Sequence, residues 1–318
     1  MHSFFKVAAD YSSIGFGVVT APALRFIAQK RMALPRFQKF SDRAGFHIRS
    51  SHYYEPTYAE SHLPKNTTLE RSIPGLDLNE RGQLDLLSQF TFAEELVQFP
   101  LEKASPDTFG YRNQMYSFGD SETYYSMIRV KKPRRIIEIG SGNSTLMAFL
   151  AIAANTRDDP SYSCEIACLE PYEMPWLEST GVRVIRERVE TVPLETFDVL
   201  QANDILFIDS SHVIRPWGDV LREFLEILPR LAGGVLVHIH DIFTPHDYPE
   251  KWLREDRRLW NEQYLLEAFL SYNSRFEVIC ATNWLKHHHF EAFTRACPMM
   301  ALNPDHEPGA FWIAAREG

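Results

Sequence analysis

Cysteine is scarce in this chain. Cys164, Cys168, Cys280 and Cys297 are the only four in 318 residues, and none falls in a paired metal-finger spacing. That excludes a disulfide framework, and four free thiols fit a reducing compartment. An excess of basic charge is missing too. The formal net charge is -9, so the chain has no long-range pull on nucleic acid or anionic lipid, and neither is expected as a bulk partner. The one basic run, Lys131-Lys-Pro-Arg-Arg135, reads as a solvated turn before a strand. Long apolar runs are also lacking. Tyr11 to Leu24 carries no charge, but it contains Gly and Pro and is too short for a membrane span. No basic start, apolar run and small-residue cleavage site follow one another as in a secretory leader. A cytoplasmic protein without a membrane span is the expectation. There is no internal repeat and no low-complexity tract.

What is present divides near residue 130. Residues 1–125 show no alternation of strands and helices and read as a helical or irregular extension or cap. Apolar residues at helical spacing predict helices over 21–30 and 84–99, with Leu86, Phe90, Ala93 and Val97 on one face of the second. Between them, His52-Tyr-Tyr-Glu-Pro56 reads as a loop packed by its own aromatics or as a binding loop. Residues 126–318 read as an α/β domain. Strands are predicted at 135–139, 165–170, 182–187, 204–208, 233–239, 276–281 and 310–315. Helices are predicted at 144–154, 216–231 and 258–271. This alternation implies a parallel sheet covered on both faces, with ligands at the C-terminal strand ends.

The polar chemistry clusters at those strand ends. Glu138-Ile-Gly140-Ser141-Gly142-Asn143-Ser144-Thr145 closes the first strand and opens a helix. Its glycines permit a tight turn and close approach of a ligand, and Asn143, Ser144 and Thr145 can cap the helix. The third glycine of a dinucleotide loop is missing, and an acidic residue precedes the turn. This suits a ligand with a cationic amino-acid end better than a pyrophosphate. Glu170 closes the second strand about thirty residues after the glycines, where a carboxylate can accept both ribose hydroxyls.

With these motifs, residues 134 to about 285 resemble class I S-adenosylmethionine (SAM)-dependent methyltransferases. The closer resemblance is to the small-molecule group with Glu-Ile-Gly-Ser-Gly-Asn-Ser-Thr, Phe-Ile-Asp-x-x-His and His-Asp-Ile motifs, here at 138–145, 207–212 and 240–242. The resemblance implies a Rossmann-like sheet of seven strands with the last antiparallel, and SAM as cofactor. It implies that Glu138, Gly140, Ser141, Gly142, Ser144 and Thr145 serve the methionine part, Glu170 the ribose and Val189 the adenine surroundings. Asp209 would sit over the methyl-transfer site.

Asp209 and His212 follow the fourth strand, and His238, His240 and Asp241 belong to the fifth, with His246 and Asp247 just beyond. Carboxylates and imidazoles converging from neighbouring strand ends make an O/N ligand set for Mg, Mn, Fe or Zn. Asp209, His240 and Asp241 are the metal candidates. Similar catechol-type and macrolide O-methyltransferases hold Mg²⁺ with acidic or amide residues here, so Asp209 and Asp241 match and His240 departs. The competing reading has His240 and Asp241 bonded to each other, orienting a loop. Asp209, His212 and His240 are the catalytic candidates, the two imidazoles as bases for an acceptor hydroxyl or ammonium.

Three further features keep two readings each. Tyr116–Asp120 is a turn or a flap over SAM. Trp260 and Tyr264 line an acceptor pocket or the core. His287-His-His289 is a solvated loop or an adventitious chelator. The leading function is methyl transfer to O or N of a small molecule. Its competitors are a metal-dependent hydroxylase or hydrolase-like enzyme on the same fold, and a non-catalytic SAM-binding interaction protein. An NAD dehydrogenase is disfavoured by the absent third glycine. No substrate motif names the acceptor, and self-association into a homo-oligomer stays open.

Overall fold

The computed structural model describes residues 2–50, 52 and 54–317, so the His52–Pro56 expectation lies partly outside the described residues. The chain forms two compact units, Met1–Lys65 and Asn66–Gly318. The division falls some sixty residues before the expected one at 125/126. The reason is packing. Leu86, Leu96, Phe109, Tyr111, Tyr116 and Phe118 are buried in the same core as the sheet. The Asn79 amide donates to the Val278 carbonyl at 2.8 Å. The Ala281 N–H donates to Gln83 at 2.6 Å.

The first unit holds helix α1 (His2–Lys30) and helix α2 (Pro35–Ala44). Pro35 sits in the first turn of α2, where its missing N–H costs nothing. Gly45, at φ 74°, ends the helix by donating its N–H to Asp42 and Ser41 carbonyls. The helix expected at 21–30 is the last third of α1. The uncharged stretch from Tyr11 to Leu24 is continuous with it, so Ala9–Lys30 is long and apolar enough, by length and composition, to cross a membrane.

The second unit is built on a seven-stranded sheet: β1 (Arg135–Ile139), β2 (Glu165–Leu169), β3 (Arg183–Ile185), β4 (Ile205–Ile208), β5 (Leu236–Ile239), β6 (Phe276–Ala281) and β7 (Phe311–Ala315). The order is β3-β2-β1-β4-β5-β7-β6, with β7 antiparallel to both of its neighbours. Every residue of β4 and β5 is buried, which is why β4 reads as a continuous apolar run and β5 as an apolar run broken only by His238, instead of alternating. The strand order reverses between β1 and β4, and that switch point sets the position of the site.

Helices differ from expectation more than strands do. The segment 84–99 is two short helices, α3 (Glu80–Leu87) and α4 (Ala93–Leu96), broken around buried Phe90, while Val97 faces solvent. Helix α5 (Asp120–Lys131) was not expected, because its opening Asp-Ser-Glu-Thr reads as surface. All four residues are buried. Asp120 accepts N–H groups from Gly309 at 3.0 Å and Ala310 at 2.7 Å, and Glu122 accepts them from Gly119 and Met299 at 2.9 and 2.7 Å. Helix α6 (Asn143–Asp158) follows β1. The expected helix at 216–231 is α7 (Asp219–Arg222), continued by a π-turn over Glu223–Ile227 and a 3₁₀ turn at Pro229. After α8 (Glu250–Arg254), helix α9 starts at Glu262, not 258, and runs to Leu270.

His287–His289 is not a free loop. It ends α10 (Thr282–His288), ahead of α11 (Phe290–Ala296). Its rings meet Glu307 at 2.9 Å, Glu70, and Glu80 at 3.0 Å.

Asn79 takes the left-handed conformation at φ 51° and caps α3 by accepting the Gly82 N–H. With its second bond to Val278, it joins α3 to the sheet edge. Asn79→Ala is expected to lose about 1–2 kcal/mol, read as a fall of several degrees in the thermal midpoint.

Candidate active site

The C-terminal ends of β1, β2, β4 and β5 open into a cavity of 750 Å³. Its geometry starts at Gly140. This residue has φ +79°, and a Cβ there would lie 2.0 Å from the Asp209 carbonyl oxygen. Only glycine fits so close an approach of two backbones. The Gly140 N–H donates to Leu169 O at 3.0 Å and the Asp209 N–H to Ile139 O at 2.8 Å. Three strand ends are thereby drawn together around one turn.

The turn has a front and a back. Gly140, Ser141, Glu170, Val189 and Asp209 line the cavity. Glu138, Gly142, Ser144 and Thr145 are not on that wall. Glu138 is fully buried and accepts hydroxyl bonds from Thr145 and, at 3.1 Å, from Tyr124. Burial pushes its carboxyl up to about 7, against those bonds. Thr145 accepts the Gly142 N–H at 3.0 Å, so these residues brace the turn from behind. Glu170 accepts N–H groups from Ser141 at 3.3 Å, Tyr172 at 3.1 Å and Glu173 at 2.9 Å. The Ser141 hydroxyl is buried without a hydrogen-bond partner. An orphaned hydroxyl beside a carboxylate with acceptor capacity left fits a polar, amino-acid-bearing ligand such as SAM.

The other half of the cavity is the carboxylate–imidazole cluster. His212 Nε2 lies 3.2 Å from Asp209 and 3.5 Å from Asp241. His240 Nδ1 lies 3.5 Å from Asp209 and 3.8 Å from Asp241. His212 and Asp241 both have positive φ, 59° and 57°, a strained conformation for residues with a Cβ that concentrates at functional sites.

Two carboxylates behind the imidazoles were not foreseen. Glu262, at the start of α9, meets His212 Nδ1 at 2.9 Å, and Asp120 lies 3.5 Å from His240 Nε2. Their signal in the sequence was their neighbourhood. Asp120 ends the Tyr116–Asp120 segment, and Glu262 lies inside Trp260–Tyr264. Tyr116 and Phe118 are core residues, so that segment is no flap; Gln114 and Met115 before it line the cavity.

The charges in the cluster are coupled. Burial alone would depress the His212 imidazole, but Asp209 and Glu262 raise it well above the usual histidine range. Burial would likewise depress His240, but Asp241, Asp209 and Asp120 raise it well above that range. Burial works against ionising Asp209, yet the two imidazoles hold it far below the carboxylate range. Asp241 and Glu262 are raised, chiefly by burial. Both histidines are therefore imidazolium in this arrangement, and neither is a ready base. His238 differs: burial and His240 keep it neutral, and its ring stacks on Phe207 at 4.0 Å.

Asp209, His240 and Asp241 each bring a donor atom within 4.8 Å of the others. The O/N donor set and the surplus of carboxylates fit a divalent cation. Uptake of such a cation would displace imidazolium protons. Mn²⁺ affinity is therefore expected to rise with pH above 7, by up to ~tenfold per pH unit for each proton released. Calorimetry in two buffers of different ionisation heat checks this; a pH-independent affinity would contradict it.

His246 and Asp247 lie elsewhere. With Asn283, His287 and Glu307 they line a separate cavity of 360 Å³. Beyond His212, the main cavity is walled by Trp252, Arg258 and Trp260. The Arg258 guanidinium lies 4.1 and 4.4 Å from the two indole centroids, and those rings are set at 76° to each other. Trp260 also packs on the His212 ring at 4.3 Å.

Sheet order, antiparallel β7 and a cavity over the β1/β4 switch point define a Rossmann-like fold of the methyltransferase kind. Residues 137–242 match the family model described as a methyltransferase domain. An uncharacterized protein of Archaeoglobus fulgidus is 29% identical over 143 residues, 43% of this chain and 63% of its own length. The match thus spans less than two thirds of that relative. Among solved structures, the O-methyltransferase TomG of Streptomyces achromogenes, in complex with SAM, is 14% identical. It covers 74% of this chain and 90% of its own at a TM-score of 0.36. An O-methyltransferase of Bacillus cereus with SAH is 12% identical, covering 73% and 91%, at 0.35. The MycE methyltransferase with Mg and SAH is 18% identical, covering 51% and 37%, at 0.29.

Proposed function

We propose that this chain is a SAM-dependent methyltransferase that methylates an oxygen, or a nitrogen, of a small molecule in the cytoplasm, with a divalent cation assisting. The observation that carries the reading is one cavity with two unlike ends. A glycine turn with an orphaned hydroxyl and a carboxylate lies at one end, and a carboxylate–imidazole cluster at the other. When bound, SAM supplies an electrophilic methyl group. A divalent cation, when bound, lowers the pKa of an acceptor hydroxyl.

The chain's own residues supply positioning, which provides most of the rate in methyl transfer. Gly140 and Ser141 receive the amino-acid end, Glu170 the ribose hydroxyls, and Val189 flanks the base. Asp209, His240 and Asp241 hold the cation. His212, kept in place by Glu262, faces the acceptor side. Once its proton has left, its Nε2 can take the acceptor's proton. Trp252 and Trp260 offer flat apolar surface to the acceptor. The acceptor is expected to be a small molecule because the cavity, at 750 Å³, is of the size that small-molecule and cofactor sites have.

Calorimetry with SAM is the first test, with 1:1 binding expected. The second incubates the protein with methyl-labelled SAM and a cell extract filtered to small molecules, and looks for label in an acid-soluble product. No SAM binding would sink the reading. Ser141→Ala is expected to weaken SAM binding roughly five- to tenfold, the worth of one hydrogen bond, with the thermal midpoint unchanged. An unchanged affinity would move the amino-acid end of SAM away from Ser141.

A further inference from the structure

From the first unit we infer that residues 9–49 form a membrane anchor, with α1 inserted across a lipid bilayer and α2 lying at its anionic headgroup surface. In the structure α1 is left uncovered: only 6% of its apolar window is buried. Tyr11, Phe16, Val18 and Val19 each expose more than two thirds of their surface, and Ile14 and Phe26 more than half. These residues are spread around the helix, not gathered into one stripe. A helix apolar on all sides belongs inside a protein or inside a membrane, and the described residues of its own unit leave this one almost wholly unburied.

The dimensions match. The 22 residues of Ala9–Lys30 rise about 33 Å at 1.5 Å each, against a hydrocarbon core of about 30 Å. Asp10 stands at one end and Lys30 at the other. Arg25, about 8 Å from the Lys30 end, is close enough for its guanidinium to snorkel to the interface. Gly15, Gly17 and Pro22 are residue types that spanning helices tolerate.

The segment after the helix carries the second observation. Lys30, Arg31, Arg36, Lys39, Arg43 and Arg49 stand against a single acid, Asp42, in a chain whose net charge is -9. On α2, Arg36, Lys39 and Arg43 occupy one arc. Phe37 and Phe40 occupy the adjoining arc, and Phe46 completes an aromatic triangle with centroids 6.0–6.5 Å apart. Phe40 is 58% exposed and Phe46 40%. A short helix with exposed aromatics beside a basic arc is built to lie at an anionic headgroup layer. Basic charge immediately after a span also keeps that side cytoplasmic. The second unit would then stay in the compartment that its four free cysteines fit. The membrane attraction comes from this local segment and not from the overall charge.

The test uses the full chain. Membranes of an expressing bacterium are washed with high salt and then with alkaline carbonate. Detergent-purified protein is also mixed with phosphatidylcholine vesicles, with or without phosphatidylglycerol, and floated. The wild type is expected to resist both washes and to float with both vesicle types, more with the anionic one. Val18→Asp with Val19→Asp should cut flotation ~tenfold or more. Arg36→Gln, Lys39→Gln and Arg43→Gln together should keep carbonate resistance but lose the anionic preference. An unchanged thermal midpoint shows that each variant is folded. Three results would overturn the anchor. They are a wild type that stays dispersed without detergent and does not float, a self-associated species that hides α1 from vesicles, and membrane protein whose mass lacks residues 9–30.

Discussion

Gly140→Ala is expected to abolish SAM binding, with affinity falling at least ~hundredfold, about 2.7 kcal/mol. A Cβ at Gly140 meets the Asp209 carbonyl oxygen at 2.0 Å, and φ is +79°. The obstacle is backbone, so no side chain can swing aside. Relief requires parting the ends of β1 and β4, which also carry Ser141 and Asp209. A stability loss of ~3 kcal/mol or more should accompany it, seen as a lowered thermal midpoint without ligand. Gly142→Ala is the matched control. Its Cβ would meet only the flexible Met174 side chain, at 3.4 Å, and less than ~tenfold loss of SAM affinity is expected. Equal losses at the two glycines would show that the Gly140 approach is not what shapes the cofactor end.

The second large effect concerns the opposite end of the cavity. Asp209→Ala and His240→Ala are each expected to reduce methyl transfer by ~hundredfold or more, because the cation that lowers the acceptor's pKa would lose a ligand. SAM affinity should stay within severalfold, because the cofactor end retains Ser141 and Glu170. His240 and Asp241 do approach each other, at 3.8 Å, but both also face Asp209. A purely loop-orienting pair would leave turnover nearly intact once the fold is kept. Unchanged turnover in both variants would remove this cluster from the mechanism.

Much of the second unit could be read from the chain. β1 spans the residues predicted for it, because a strand buried along most of its length writes itself as a mostly apolar run. The Glu138–Thr145 turn and the Asp209 and His240-Asp241 strand ends were visible for the same reason: polar residues interrupt such runs where the chain leaves the sheet. Asp120, Glu122 and Glu262 were not legible. Each is a buried carboxylate, and the groups that make burial tolerable lie far away in sequence, as with Gly309 and Ala310 for Asp120 or His212 for Glu262. Periodicity sees a polar residue and assigns it to solvent; only tertiary contact supplies its partner. The break at Phe90 and the π-turn after Arg222 were hidden likewise, since local propensity does not encode where a helix must bend to fit its neighbours.

One junction at the site bears on how its preferences can change. The N–H groups of Asn261 and Glu262 both reach the His212 carbonyl, at 2.9 and 3.2 Å, while the Glu262 side chain holds the His212 ring. Trp260, one residue away, packs on that same ring. Imidazole, indole and the head of α9 are thus one rigid block. A substitution that reshapes the Trp260 wall would disturb His212 with it, so this side tolerates little tinkering. Trp252 shares that constraint, since it packs on Trp260 at 5.1 Å, whereas Gln114 and Met115 line the cavity from a different stretch of chain. Variants chosen to accept a different molecule should therefore accumulate at Gln114 and Met115, and a library confined to these two positions is the direct route to altered acceptor range.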